Sequence, residues 1–261
     1  MIDSVGAGVT EWRAGDRVHG LVPTGPHGAH ASHVIVDAAG LRAAPPGHSL
    51  ESLAALPYSF TTLWLALARM GLHPLNARGK SVLVHGASGG LGQLALQVLS
   101  RWGAHVTAVC STAHVQACRD LGASEVLDRR LRAISSLPRG FDVSLNFASW
   151  SDEGSLIGRL KPDALGHATT VHPLLASFDD RGWVGGAVQA HQAWSGMRRL
   201  VKAVGASTRY AWVVFRPSRP AQDALQGFLQ TGGFHLPIGL SVPMNKAEPV
   251  SYTHLTLPTS E

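Results

Sequence analysis

Cysteine is scarce in this chain of 261 residues, which contains only Cys110 and Cys118. Two thiols cannot build a disulfide framework or a four-cysteine zinc site. No apolar run approaches the roughly 18 residues that a transmembrane helix needs, so no membrane span is predicted. Charged residues make up 15% of the chain, and arginines carry most of the net charge of +5. Because these arginines are scattered rather than clustered, nucleic-acid binding is not expected.

Several catalytic motifs are also missing. A short-chain dehydrogenase needs Tyr-x-x-x-Lys, but the residues four positions beyond the 3 tyrosines are threonine, valine and threonine. Gly79-Lys80-Ser81 resembles the end of a P-loop, yet it precedes a predicted strand instead of following one. His27, His30 and His33 have a spacing that could gather a metal ion, but no thiolate accompanies them. No metal site is predicted.

The order of strands and helices separates two regions. Before residue 58, Gly15-Asp16-Arg17-Val18 predicts a turn that enters a strand, His33-Val34-Ile35-Val36 predicts a second strand, and Leu50–Ala55 predicts a short helix. Beyond it, strands are predicted at Ser81–His85, His105–Val109, Glu125–Leu127, Phe141–Leu145, His167–Val171 and Tyr210–Phe215. Helical patterns lie between them or flank them, including Phe60–Met70 and Pro220–Gln230. This alternation predicts an α/β fold with a doubly wound parallel sheet, a Rossmann domain.

A glycine loop follows the first strand of this sheet directly. The spacing Gly86-x-x-Gly89-x-x-Gly92 is typical of dinucleotide-binding loops, in which glycines permit a tight turn, a close approach of the pyrophosphate and close helix packing. Free amides at the start of the next helix would face the phosphates. The predicted cofactor-binding residues of the loop are therefore Gly86, Ser88, Gly89, Gly90, Leu91 and Gly92.

The end of the second strand predicts which dinucleotide binds. NAD sites carry an acid here for the ribose 2′-hydroxyl, whereas this chain has Cys110-Ser111-Thr112 and no acid before Asp120. A hydroxyl at Ser111 can donate to a 2′-phosphate that a carboxylate would repel. Arg119 and Arg129 are candidate counter-charges for that phosphate, the alternative being that both are solvated. The sequence therefore predicts NADPH.

A set of motifs in the order seen here resembles a known family. Val5-Gly6-x-Gly8-Val9, the Gly15–Val18 turn, Ala55-Leu56-Pro57-Tyr58 and the glycine loop are similar to medium-chain dehydrogenase/reductases, in particular the zinc-independent quinone oxidoreductase branch and its mitochondrial, reticulon-interacting members. The resemblance implies an incomplete GroES-like β domain at 1–57 and an NADPH-binding Rossmann domain at 58–238. It further implies a return segment at 239–250, while 251–261 fits no expected element and is interpreted as a non-native tail. A chain truncated at both ends is expected to be inactive or to aggregate.

The resemblance also implies a chemistry. Members of this branch transfer hydride from NADPH to a quinone or another electron-poor enone-type acceptor. Tyr58 is a candidate catalytic residue that would hydrogen-bond the acceptor oxygen, the alternative being a packed structural tyrosine. Thr62 is expected to line the nicotinamide side. Asn146 ends the fourth strand at a cofactor-binding position, where relatives often have an acid followed by two glycines that Ala148-Ser149 replaces here.

Zinc-dependent relatives carry a cysteine-rich lobe after the Gly-Asp-Arg-Val turn, and this chain has no cysteine there. The resemblance therefore implies no zinc. It also implies a mitochondrial location, a reticulon-type protein partner and a homodimer. Two alternatives remain open from the sequence, namely a cofactor-binding interaction protein without turnover and an enoyl-thioester reductase.

Overall fold

The computed structural model describes residues 1–22, 28–29 and 31–236. These fall into two compact units, one of residues 1–57 with 235–236 and one of residues 58–234. The predicted segments 239–250 and 251–261, the last two residues of the predicted domain 58–238, and His27 and His30 lie outside the described residues.

The first unit contains two short antiparallel strands, β1 (Val18–Gly20) and β2 (Leu41–Ala43). A helix, α1 (Leu50–Ala54), follows them. The strand predicted at His33–Val36 is wrong, because this segment has no regular structure and Ile35 is 100% exposed. A β-branched run forms a strand only where a neighbouring strand and a buried face receive it.

The second unit begins in α2 (Leu56–Met70) and contains a six-stranded parallel sheet in the order β5-β4-β3-β6-β7-β8. Its strands are β3 (Ser81–His85), β4 (His105–Cys110), β5 (Glu125–Asp128), β6 (Val143–Asn146), β7 (Gly166–Thr169) and β8 (Arg209–Trp212). The predicted parallel, doubly wound α/β sheet is thereby confirmed. Its central strands β3, β6 and β7 are buried along almost their whole length because helices cover both faces of such a sheet.

Five helices connect or follow the strands: α3 (Gly90–Arg101), α4 (Val115–Asp120), α5 (Glu153–Ile157), α6 (Leu174–Val204) and α7 (Arg219–Gln230). The long helix α6 had no counterpart among the predicted elements. It is interrupted at Gly182, where φ is 66°, and its glycines lower the helix propensity of the whole stretch. Among the described residues, no helix combines the length and apolar character required to cross a bilayer.

Candidate functional site

The crossover of the sheet creates a crevice at the carboxyl ends of two central strands. β3 pairs with β4 on one side and with β6 on the other. From β3 the chain adds β4 and β5 towards one edge of the sheet, then crosses back and adds β6, β7 and β8 towards the other edge. In open α/β sheets, ligands bind outside the carboxyl ends of the strands at this point. The loops after β3 and β6 meet here, since a Cβ atom added to Gly86 would lie 3.0 Å from the Cβ of Ala148.

Two glycines close the turn between β3 and α3. Gly86 has a φ of 78°, a left-handed conformation that side chains rarely adopt. A Cβ atom on Gly92 would lie 2.2 Å from the carbonyl oxygen of Gly86 and 2.5 Å from the Cα of Ala87. The helix therefore approaches the turn as closely as backbone allows, which is the packing role predicted for the last glycine.

The outer side of the same turn is open. A Cβ on Gly90, the first residue of α3, would meet no atom within 4 Å, and the preceding Gly89 has no side chain to cap the helix. The first amide hydrogen bond into the helix is Gln93 N to Gly89 O at 2.9 Å, so the amides of Gly90, Leu91 and Gly92 precede the helical ladder. Free amides beside open space fit a pyrophosphate, whose negative charge the helix N-terminus favours.

The three residues predicted to bind a 2′-phosphate do not all lie at the carboxyl edge of the sheet. Ser111 follows β4 directly, and the amide of Arg129 donates to the carbonyl of Cys110 at 2.9 Å, so Arg129 begins beside Ser111 at the carboxyl edge of the sheet. Arg119 lies in the last turn of α4, at the opposite end of that helix from Ser111. Of the two arginines, the fold brings only Arg129 next to Ser111 through the backbone.

An acidic residue near this position was missed by the sequence reasoning. Asp128 ends β5 and is paired in register with Cys110, and its carboxylate accepts a hydrogen bond from the amide of Arg130 at 2.9 Å. Asp128 lies beside β4 because β5 pairs with that strand. In the sequence, by contrast, a whole helix separates Asp128 from Ser111. Any ribose or phosphate at Ser111 would have this carboxylate as a neighbour.

Asn146 is buried, and its carboxamide is fully used within the protein. Its Oδ1 accepts from the amides of Ala148 and Ser149 at 3.1 and 3.3 Å, while its Nδ2 donates to Ser149 O at 2.6 Å and to Glu153 Oε1 at 2.9 Å. The side chain thus shapes the loop that replaces the two family glycines. A direct contact between Asn146 and the cofactor stays a prediction.

No pattern in the sequence predicted the buried Glu153–His167 pair next to this asparagine. The imidazole Nε2 of His167 lies 2.7 Å from Glu153 Oε2, and its Nδ1 lies 2.5 Å from the hydroxyl of Ser144. Burial by itself would raise the pKa of Glu153, but His167 and hydrogen bonds from Thr169 and Asn146 outweigh it and hold the pKa below its ordinary value. The ionised carboxylate of Glu153 accepts from Asn146 Nδ2 and so helps to hold Asn146 in one orientation.

His85, the last residue of β3, supports the glycine loop in a similar way. Its Nε2 lies 2.9 Å from a carboxylate oxygen of Asp152. Burial lowers the pKa of His85, and Asp152 only partly opposes the shift. A neutral ring donating to Asp152 therefore connects the strand before the glycine loop with the helical turn after β6.

Tyr58 and Thr62 lie one turn apart on α2. The Tyr58 side chain is 56% exposed, and its ring stacks on Phe215 with 4.3 Å between the centroids. The Thr62 hydroxyl donates to the Tyr58 carbonyl oxygen at 3.0 Å. Phe215 was not predicted to have a role, because it lies more than 150 positions along the chain. The catalytic role of Tyr58 stays a prediction.

Within the part of the chain that the structure describes, no group of three or more His, Cys, Asp or Glu side chains is placed to hold a metal ion. Of the three histidines spaced three residues apart, His33 is described, and it lies in an exposed segment with its Nδ1 at 3.2 Å from Ser32 Oγ.

This chain is similar in sequence to mitochondrial proteins that include NAD(P)H oxidoreductases. It is 31% identical over 251 residues to the mouse (Mus musculus) NAD(P)H oxidoreductase RTN4IP1, mitochondrial, covering 94% of this chain and 63% of the mouse protein. It is 30% identical over 243 residues to the Caenorhabditis elegans reticulon-4-interacting protein 1, mitochondrial, covering 89% of this chain and 64% of that protein. The chain thus spans less than two thirds of the length of these curated relatives. It matches no protein-family model.

Solved structures share the fold at low sequence identity. The quinone oxidoreductase from Coxiella burnetii superposes with a TM-score of 0.76 at 17% identity, covering 97% of this chain and 72% of its own. The Escherichia coli quinone oxidoreductase complexed with NADPH gives 0.64 at 20% identity, covering 91% and 70%. CurK enoyl reductase gives 0.62 at 20% identity, covering 99% and 67%. The chain is therefore a homologue of mitochondrial NAD(P)H oxidoreductases and shares its fold with the quinone oxidoreductases.

Proposed function

We propose that this protein transfers hydride from NADPH to a quinone or another electron-poor enone-type acceptor, without a zinc ion. The observation that carries the proposal is the geometry of the turn after β3. Gly86 and Gly92 close this turn on its inner side, and the amides of the first residues of α3 face open space on its outer side. The E. coli quinone oxidoreductase that shares this fold is complexed with NADPH, which supports the choice of a nicotinamide cofactor.

Residues at the end of β4 support NADPH over NADH. The Ser111 hydroxyl makes no capping hydrogen bond to the short helical turn that it precedes, so it is free to donate to a phosphate oxygen. The Arg129 side chain is exposed and begins beside Ser111. A guanidinium and a hydroxyl together provide the charge and donors that a 2′-phosphate requires. The Asp128 carboxylate lies nearby and would repel the phosphate, so the positive charge of Arg129 is needed to offset that repulsion.

The acceptor would approach α2. When bound, NADPH supplies the hydride, and the protein then has to orient the acceptor, exclude water and stabilise the developing oxyanion. The Tyr58 phenol can donate a hydrogen bond to that oxygen, and its stacking on Phe215 restricts the ring. Thr62 donates to the Tyr58 carbonyl, which fixes the turn of helix that carries the phenol.

Two other functions have specific support. The fold shared with CurK enoyl reductase favours an enoyl-thioester reductase. The name of the nematode relative favours a protein that binds a reticulon-type partner, with or without turnover. A mitochondrial location is proposed on the names of these relatives, and a homodimer on the family resemblance.

The test begins with fluorescence titration of NADPH and NADH against the 261-residue chain and, in parallel, the longest reading frame that contains it. Stopped-flow oxidation of bound NADPH by a short-chain quinone and by a crotonyl thioester follows. We expect tighter binding of NADPH than NADH, a loss of that preference in Arg129→Gln, and its retention in Arg119→Gln. Equal binding of both cofactors would refute the NADPH assignment, and binding without oxidation by either acceptor would favour the interaction protein.

A further inference from the structure

The long helix α6 has an exposed apolar region that the proposed hydride transfer does not use. Trp183, Val184 and Val188 are 84%, 81% and 54% exposed. They lie within about two turns of the helix, or about 8 Å along its axis. The Trp183 ring contacts Phe178 across the break at Gly182, with 5.3 Å between the centroids, yet most of the indole stays in solvent. Large apolar side chains grouped in this way on a surface indicate a binding site.

The same side of the helix continues into positive charge. His191 follows Val188 by three positions, and Arg198 and Lys202 lie seven and eleven positions beyond His191. These spacings keep the four side chains on one side of α6. Arg199 lies next to Arg198, and all five residues are exposed. We call this surface the α6 face, and it comprises Trp183, Val184, Val188, Arg198, Arg199 and Lys202.

No carboxylate balances the charge of the α6 face. From Arg181 to Gln222 the sequence contains no aspartate or glutamate, and Asp179 and Asp180 precede the break in the helix. Within the described residues, no ion pair involves a cation of α6, and the Arg198 guanidinium lies over the Trp194 ring at 4.8 Å instead. An apolar region followed by unpaired cations on one side of a helix is complementary to a bilayer surface with anionic headgroups.

The opposite side of α6 packs on its own unit, which limits what can bind the exposed side. Gly186, Ala190 and Val201 are buried, and Val201 belongs to a hydrophobic cluster that includes Leu156. A partner protein with an acidic groove would have to enclose the helix, and the packed side prevents this. A second copy pairing through the same surface would bring its cations to a helix segment that has no carboxylate to receive them. A flat anionic surface needs only the exposed side.

We propose that the α6 face binds the surface of a bilayer that contains anionic phospholipids. Its apolar part enters the boundary between headgroups and acyl chains, where tryptophan is favoured, and its three cations lie at the lipid phosphates. Binding of this kind lies along the membrane plane and requires no spanning segment. The inference goes beyond the proposed hydride transfer and does not depend on it.

The experiment is flotation of the 261-residue chain with two kinds of vesicle, phosphatidylcholine alone and phosphatidylcholine mixed with phosphatidylglycerol. We expect binding to the mixed vesicles that weakens as salt is added, because salt screens exposed charges. Trp183→Ala removes apolar area from the α6 face, and Arg199→Gln/Lys202→Gln removes charge. Each should lower the partition coefficient about tenfold or more.

Matched controls place the same kinds of change elsewhere. Leu75→Ala shortens an apolar side chain that is 93% exposed, and Arg132→Gln/Arg139→Gln lowers the net charge by the same amount at exposed positions. Both should keep the vesicle binding of the unaltered protein. Circular dichroism checks that every variant folds. NADPH titration should give one affinity for all of them, so a failure of membrane binding leaves the proposed function standing, and the reverse also holds.

A second measurement locates the contact. Phosphatidylcholine with brominated acyl chains, added to the mixed vesicles, quenches the fluorescence of tryptophans that reach the acyl chains. Quenching should fall in Trp183→Phe, which keeps an aromatic ring and its binding. Equal quenching in the two proteins would mean that another part of the chain enters the bilayer, and the inference would be wrong. It would also be wrong if the mixed vesicles bound no protein, if the α6 variants bound them fully, or if light scattering showed a dimer that Trp183→Ala dissociates.

Discussion

Adding one methyl group to Gly92 should weaken both the fold and cofactor binding. In Gly92→Ala the new Cβ would lie 2.2 Å from the Gly86 carbonyl oxygen and 2.5 Å from the Ala87 Cα. Ordinary carbon contacts lie at about 3.5–4.0 Å, so α3 must move away from the turn by more than about 1 Å. Overpacking of this kind costs about 1–3 kcal/mol in the free energy of unfolding. For a unit of this size we expect the midpoint of thermal unfolding to fall by about 2–12 °C.

Two matched glycine variants separate packing from binding. Gly90→Ala adds the same methyl group where no atom lies within 4 Å, so stability should hold or rise slightly while the methyl enters the space reserved for phosphate. Gly227→Ala in α7 also meets no atom within 4 Å, so it should leave NADPH binding unchanged while stability holds or rises slightly. The assays are thermal unfolding by circular dichroism and NADPH titration by fluorescence.

The expected pattern is loss of stability and binding in Gly92→Ala, loss of binding alone in Gly90→Ala, and no loss in Gly227→Ala. Full NADPH affinity in Gly90→Ala would show that the phosphates do not sit over the start of α3. Unchanged stability in Gly92→Ala would refute the packing argument.

Three further predictions concern stability and thiol chemistry. Burial raises the pKa of Asp142, but its partners Lys161 at 2.6 Å, the Ser81 amide and Lys80 more than offset this, so the folded-state pKa is lowered. Its stabilisation is then present above about pH 4 and is lost as the pH falls through the lowered pKa, and Asp142→Asn should flatten that loss in urea unfolding measured from pH 7 to 2. Burial raises the pKa of Cys118 to about 12, so maleimide labelling at pH 8 should be slow until the protein unfolds, and fast labelling of the folded chain would contradict this. Gly186→Ala places a Cβ 2.6 Å from Ser177 O and should cost about 1–3 kcal/mol in thermal unfolding, whereas Gly196→Ala, with no atom within 4 Å, should cost nothing.

The local patterns of the second unit were sufficient to predict its fold. Ser81–His85 and its glycine loop are contiguous in the chain, and their strand, turn and helix follow from hydrophobic burial and backbone sterics within about 20 residues. The predicted β-branched strand at His33–Val36 was wrong because, among the described residues, no strand pairs with this segment and no core receives the side chain of Ile35. Helix α6 was missed because its glycines obscured the helical pattern, and packing rather than propensity supports it.

The sequence by itself determined the succession of the six strands in the second unit, the glycine-rich turn after β3 and the absence of an acid directly after β4, since each is a property of neighbouring residues. Only the tertiary structure decided that the Asn146 carboxamide donates a hydrogen bond to Glu153, that Asp128 lies in register with Cys110, and that Phe215 stacks on Tyr58. These contacts join residues from different strands and helices, and strand register and helix docking fix them. Packing of the whole sheet sets both, so no pattern within a short stretch of sequence can reveal them.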